Sequence, residues 1–185
     1  MQYSCGYWIK GTKNLDDAQI NKLKLICCKL NLKPGLKVLD VGSGFGGLSY
    51  FMAKYYNVYV TSISLSKEQI EYAKVKFNHK NINYKILDYR LLDNSKKFDR
   101  IVSVVMFEHV GHKNYDTFCK KMYNSLKDDG YFLLHFIGNS EYDDQYGTDR
   151  WIDKYIFPGG LIPSIKQTIV SVNKYFYIED YQNFG

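Results

Sequence analysis

Residues 98–115, FDRIVSVVMFEHVGHKNY, read as an apolar β-strand from Phe98 to Val105 that runs directly into two ionisable groups, Glu108 and His109, and then a glycine, Gly111. A strand that ends this way reads as the carboxyl edge of an open α/β sheet, where ligands usually bind. The same alternation extends in both directions. Asn14 caps a helix whose apolar face is Ala18, Leu23, Ile26 and Leu30, and Pro34-Gly35 ends it. A strand KVLDV (37–41) is followed by a glycine-rich turn, a helix near 47–55, a strand VYVTSI (58–63), and a helix opened by Ser66 with Gln69 three residues on, a capping-box pattern. INYKIL (82–87), FDRIVSVV (98–105) and YFLLHFI (131–137) are further strands, with a helix over 114–127. Strands alternating with helices predict an α/β fold with a mostly parallel sheet covered on both faces. Residues 139–163 read as a long loop containing Pro158, Gly159, Gly160 and Pro163, too long to be idle in a compact domain. A short helix and a last strand near KYFYIEDY (174–181) are expected after it.

At 185 residues, 45% apolar and 24% charged, the chain fits one domain with a real core. Its longest apolar runs, IVSVVMF and YFLLHFI, fall short of a membrane span, and the N-terminus lacks a charged and apolar leader pattern. One soluble, cytoplasmic domain is the expectation. Cys5, Cys27, Cys28 and Cys119 follow no metal-ligand spacing, so no metal is expected; the Cys27-Cys28 pair lies in an apolar helical pattern and reads as reduced core thiols. The net charge of +6 comes from lysines spread along the chain, without a basic block, which is weak evidence for nucleic acid. A diffuse basic surface favours anionic lipid headgroups, by up to about 1 kcal/mol per lysine close to a membrane.

The turn in VLDVGSGFGGL (38–48) contains Gly42-x-Gly44-x-x-Gly47, which formally satisfies a dinucleotide fingerprint, though a lone match is weak. Its glycines let a ligand approach the backbone, and the following helix offers free N–H groups. Two details point away from NAD. Asp40 lies two residues before the first glycine, where a carboxylate can face the ligand, and VYVTSI has no acid at its end to hold a ribose. Asp40 suits a cationic ligand end such as the amino group of S-adenosylmethionine. The plainer reading is a tight strand-to-helix turn.

MQYSCGYW (1–8), VLDVGSGFGGL (38–48), SLSKEQ (64–69), FDRIVSVVMFEHVGHKNYDTF (98–118), FLLHFIG (132–138) and WIDKYIFPGGLIPS (151–164) together resemble the cyclopropane-fatty-acyl-phospholipid synthases, in the same order and spacing over nearly the whole chain. The resemblance implies a Rossmann-like class I methyltransferase fold. It also implies binding of S-adenosylmethionine, transfer of its methyl carbon to the cis double bond of a phospholipid acyl chain at the membrane surface, and a bound bicarbonate that takes a proton so that the ring closes. Carried over residue by residue, Tyr3, Ser4 and the turn from Val38 to Gly46, including Asp40, Gly42, Ser43, Gly44 and Gly46, would contact the cofactor. Ser64, Leu65 and Gln69, within the 64–69 segment, would replace the missing acidic ribose anchor, and Tyr89 would pack near the adenine. Three residues depart from the common pattern: Ser43 stands where Cys is common, Phe45 where Trp is, and His112 where Pro is.

An alkene is a poor nucleophile, and its carbocation-like product must lose one proton in a dry site with a held base. By resemblance the bicarbonate is held by Cys5, Glu108, His135 and the backbone of Ile137. His135 shares a strand face with Tyr131, Leu133 and Ile137 near the strand's carboxyl end, beside the strand ending before Glu108. Two anions sit together only with a proton between them, so Glu108 is expected to accept the bicarbonate O–H while His135 fixes the other side. Taken alone, Glu108 could cap a helix and His135 could be a core residue. Cys5 reads as a site wall, His109 as structural, and Tyr155 to Pro158 as lining for an acyl tunnel.

Other readings are a methyltransferase for a small amine or phosphobase, which does not require the Cys5, Glu108, His135 set, and a catalytically silent cofactor-binding module. In class I methyltransferases a final antiparallel strand inserts between the fifth and sixth strands, whereas this chain stops at YQNFG (181–185). Residues 1–185 are therefore expected to be a C-terminally truncated catalytic core lacking that strand. Also missing would be a tyrosine that completes the bicarbonate site in the family and the helices that cover its acyl pocket. Weak cofactor binding, low stability and little or no cyclopropanation are the expectation for these residues alone, with apolar sheet edges open to pairing in a homodimer.

Overall fold

The computed structural model describes residues 2–95, 97–139, 150–155 and 162–183. Five strands, β1 (Lys37–Val41), β2 (Tyr59–Ser64), β3 (Ile82–Ile86), β4 (Phe98–Val104) and β5 (Leu126–His135), form one sheet in the order β3-β2-β1-β4-β5. Every pairing is parallel. Helices α1 (Leu15–Lys29), α2 (Gly47–Tyr56), α3 (Lys67–Lys76) and α4 (Tyr115–Ser125) connect or flank them, and α5 (Arg150–Tyr155) and α6 (Ile165–Val172) follow. This is the Rossmann-like architecture of class I methyltransferases. The strand order reverses between β1 and β4, which opens a crevice at their carboxyl ends.

Period-two alternation divides the sheet between two cores. Val38, Val60 and Val102 face α1 and α2, meeting Leu23, Ile26, Leu30, Leu48 and Met52. Leu39, Val41, Ile63 and Ile101 face the other way, toward Phe118, Cys119 and Met122 of α4. Burial on both faces is why these strands read as near-continuous apolar runs. α1 begins at Asn14, whose side chain accepts the Asp17 N–H at 2.8 Å.

Several expectations change. KYFYIEDY is not a strand: Tyr175 and Phe176 both donate their backbone N–H to the Val172 carbonyl, closing a turn after α6, and residues 176–183 have no regular structure. Phe176 instead packs on Phe132 and Tyr123. The sequence 150–155, expected to be loop, is helical, and α4 stops at Ser125, where the chain enters β5. The capping box at Ser66 is only half made. Ser66 Oγ accepts the Gln69 N–H, but the Gln69 side chain accepts from Ser64; a complete box opens α6 at Ser164 and Gln167. Cys27 is buried, whereas its neighbour Cys28 is exposed and is not a core thiol. No described helix is long and apolar enough to cross a membrane.

Candidate functional site

β1 delivers its chain into a turn in which Gly42, Gly44 and Gly46 all have positive φ, 75°, 54° and 80°. The Gly42 and Ser43 N–H groups both donate to the Ile63 carbonyl, pinning the turn against the end of β2. A Cβ at Gly42 would lie 2.5 Å from Met106 Cγ, and one at Gly46 would lie 2.8 Å from Ala73 Cβ. Glycine is needed there both for φ and for space. α2 starts immediately afterwards, at Gly47.

An open cleft lies above this turn, bounded by Tyr3, Ser4, Lys22, Asp40, Gly42, Ser43, Gly44, Phe45 and Val104 among others. Six residues expected at the cofactor thus meet in one place: Tyr3, Ser4, Asp40, Gly42, Ser43 and Gly44. Tyr3 covers Gly44 and stands edge-on to Phe45, which in turn meets Tyr72. Asp40 is buried, with Oδ2 accepting from Ser49 Oγ at 2.6 Å. Burial pushes its pKa up to about 6 against the opposing effect of that hydrogen bond. Ser64, Leu65, Gln69 and Tyr89 do not line this cleft. Ser64 Oγ donates to Gln69 Oε1 at 3.0 Å, Leu65 is 69% exposed, and Tyr89 packs edge-on against Phe118. Gly46 sits under the turn, against Ala73 and Tyr84.

Lys22 is the cleft residue that sequence reading missed. It is 0% exposed, and its ammonium donates to Ser4 Oγ and Gln19 Oε1. The signal was legible, because Ala18, Lys22 and Ile26 recur every four residues and place a lysine in the middle of the apolar stripe. Burial pulls its pKa down to about 8, partly opposed by its interaction with nearby Cys5.

The second half of the site grows from β4 and β5. Val105, just past β4, has φ 52°, a conformation that costs a β-branched residue on the order of 1–3 kcal/mol. Its N–H donates to the His135 carbonyl at 2.9 Å, so the two strand ends are tied together where the backbone is strained. A single turn over Phe107–His109 then buries Glu108 at 7% exposure, and its Phe107 stacks on Tyr115. Glu108 Oε1 accepts the Ile137 N–H at 2.7 Å. Glu108 Oε2 is buried without a hydrogen-bond partner among the described residues. Burial raises the Glu108 pKa, with the Ile137 bond opposing. Burial also pulls His135 down to about 4, helped by the positive charge of Lys22. Lys22 therefore lies within electrostatic reach of both Cys5 and His135, while Cys5 itself is exposed. Tyr155 is exposed beside Trp151, and Ile156 to Pro158 of the expected acyl tunnel lie outside the described residues.

The chain is 49% identical over all 185 residues to the cyclopropane-fatty-acyl-phospholipid synthase of Escherichia coli, covering 100% of this chain and 47% of that protein. It thus spans about half the length of that relative. Among solved structures, the cyclopropane synthase MmaA2 from Mycobacterium tuberculosis superposes with a TM-score of 0.89 at 29% identity, over 99% of this chain and 69% of that one. The mycolic acid cyclopropane synthase CmaA1, complexed with SAH and CTAB, superposes at 0.84 with 32% identity, over 94% of this chain and 66% of that one. The family model described as mycolic acid cyclopropane synthetase matches residues 1–185 without a gap at either end, and the chain belongs to that family.

Proposed function

We propose that this chain is the S-adenosylmethionine-binding catalytic core of a cyclopropane-fatty-acid synthase acting on unsaturated phospholipid acyl chains, from the cytoplasm, at the membrane surface. The observation that carries this reading is Glu108. A buried carboxylate with one oxygen anchored by Ile137 and the other without a partner among the described residues, at the strand end beside the cleft, is a held acceptor for one proton-bearing group. Methylation of an amine does not require one.

S-adenosylmethionine supplies the one-carbon unit as an electrophilic methyl group. The turn at Gly42–Gly46 presents backbone close to the ligand, Tyr3 and Phe45 supply apolar cover, and Asp40 offers its carboxylate to a cationic ligand end. Bicarbonate supplies a proton acceptor that can leave after neutralisation. The residues present fit it: Glu108 Oε2 would accept its O–H, and His135, neutral near pH 7, would present an imidazole from the adjoining strand end without adding a charge beside a cationic cofactor. Ile137 serves this site through Glu108, because its N–H is already donated to that carboxylate.

The test is incubation of the chain with methyl-labelled S-adenosylmethionine and vesicles of monounsaturated phospholipid, with and without bicarbonate. Label in cyclopropane acyl chains is expected to depend on bicarbonate and to be low in amount for these residues alone. Label transferred to an added small amine or phosphobase, with none in lipid, would replace this reading with N-methylation.

A further inference from the structure

The cleft contains two buried ionisable groups of opposite sign, Asp40 and Lys22, exposed by 2% and 0%. Asp40 rises from the sheet, at the end of β1. Lys22 reaches in from the middle of α1. Both hydrogen-bond partners of Lys22, Ser4 Oγ and Gln19 Oε1, are neutral, and it takes part in none of the ion pairs among the described residues. A buried cation hydrogen-bonded only to neutral groups and ion-paired to no carboxylate is costly, and tethering Ser4 to a helix does not require one, since a neutral glutamine could do that. A ligand that carries a carboxylate into the cleft would satisfy it. A ligand that also carries an ammonium would satisfy Asp40.

We propose that Lys22 anchors the α-carboxylate of the amino-acid end of the ligand in this cleft, which Asp40 also lines, so that the two side chains together select a zwitterion. The assignment rests on the cofactor reading above and extends it to a residue that holds the N-terminal segment and the ligand at once. With Ser4 on the same ammonium, carboxylate binding and the placement of residues 2–4 at the cleft are coupled through Lys22. Charge-assisted hydrogen bonds of this kind are the strong ones, so the carboxylate should contribute much of the affinity of the amino-acid end.

The experiment is calorimetric titration of the wild-type chain and of Lys22→Met and Lys22→Gln. Each is titrated with S-adenosylhomocysteine and with 5′-methylthioadenosine, which keeps the nucleoside and sulfur but lacks the amino-acid end. Both variants are expected to lose about tenfold or more in affinity for S-adenosylhomocysteine and to bind methylthioadenosine as the wild type does, within about twofold. On the wild type, the decarboxylated analogue of S-adenosylhomocysteine should bind about tenfold or more weakly than the parent; this measurement does not depend on either variant folding. Equal losses for both nucleosides in the variants, or no penalty for the decarboxylated analogue on the wild type, would overturn the assignment. Unchanged S-adenosylhomocysteine affinity with a lost response to bicarbonate would overturn it too, and would give Lys22 to the other anion. Failure of the wild type to bind either nucleoside would overturn the cofactor reading along with it.

Discussion

Glu108 Oε1 accepts the backbone N–H of Ile137 at 2.7 Å, which joins the segment after β4 to the segment after β5 and leaves Oε2 buried without a hydrogen-bond partner among the described residues. Glutamine at position 108 keeps an oxygen for Ile137 and removes the acceptor for a second proton. Glu108→Gln should therefore bind S-adenosylhomocysteine within about twofold of wild type while turnover in the labelled-lipid assay falls on the order of 10²- to 10³-fold. Burial raises the Glu108 pKa, so the ionised carboxylate weakens the fold, and this penalty is fully present above the raised value. The melting temperature of the variant at pH 7 should consequently equal or exceed that of the wild type. Full turnover in the variant would remove Glu108 from the proton path.

Asp40 separates ligand binding from stability. Its pKa is pushed up to about 6 by burial, from an ordinary value of 3.8. Between those two values the folded chain holds a proton that the unfolded chain releases. Stability is therefore lost as pH rises through this window, and the penalty is complete above pH 6. Asp40→Asn should raise the melting temperature at pH 7 and weaken S-adenosylhomocysteine binding. Wild-type affinity should itself fall when titrations move from pH 7 to pH 5, and the variant should show no such dependence.

His135 acts in nearly the same window with the opposite sign. Its pKa is drawn from 6.5 to about 4, so as pH falls between these values the unfolded chain takes up a proton that the folded chain refuses, and stability is lost. In the wild type the gain from Asp40 and the loss from His135 offset one another. Chemical denaturation from pH 7 to pH 4 should show the difference: Asp40→Asn becomes more acid-sensitive than wild type, and His135→Asn less. Variants that both track the wild-type profile would show that neither group has the environment described.

The inner strands β1, β2 and β4 were legible because parallel strands buried on both faces read as largely apolar runs, each stopped by a turn residue or a charge. KYFYIEDY misled for the complementary reason. Its aromatic and β-branched residues have strand propensity, but propensity without a hydrogen-bonding neighbour does not make a strand, and Tyr175 and Phe176 are bonded back to Val172. In the site, the glycine turn, Asp40 and Glu108 were visible because their residue types are costly anywhere else at a strand end. Lys22 was passed over because only the apolar members of its helical face were counted. The positive φ of Val105 left no mark in the sequence, since valine is the residue least expected to adopt it.

Gly42 offers a test of whether the turn is held by conformation or by space. Alanine there would be strained by φ 75° and would place its Cβ 2.5 Å from Met106 Cγ and 2.7 Å from Met106 Cβ. Met106 lies between the strained Val105 and the Phe107–His109 turn that buries Glu108. Displacing it therefore disturbs both halves of the site. Gly42→Ala is expected to destabilise the chain by about 1–3 kcal/mol, measured by denaturant unfolding, and to weaken S-adenosylhomocysteine binding. Met106→Ala shortens the obstructing side chain but leaves its Cβ and cannot alter the backbone at position 42. The double variant should thus recover only part of the binding lost in Gly42→Ala. Complete recovery would mean that crowding alone fixes glycine at this position, and no recovery would mean that backbone conformation alone does.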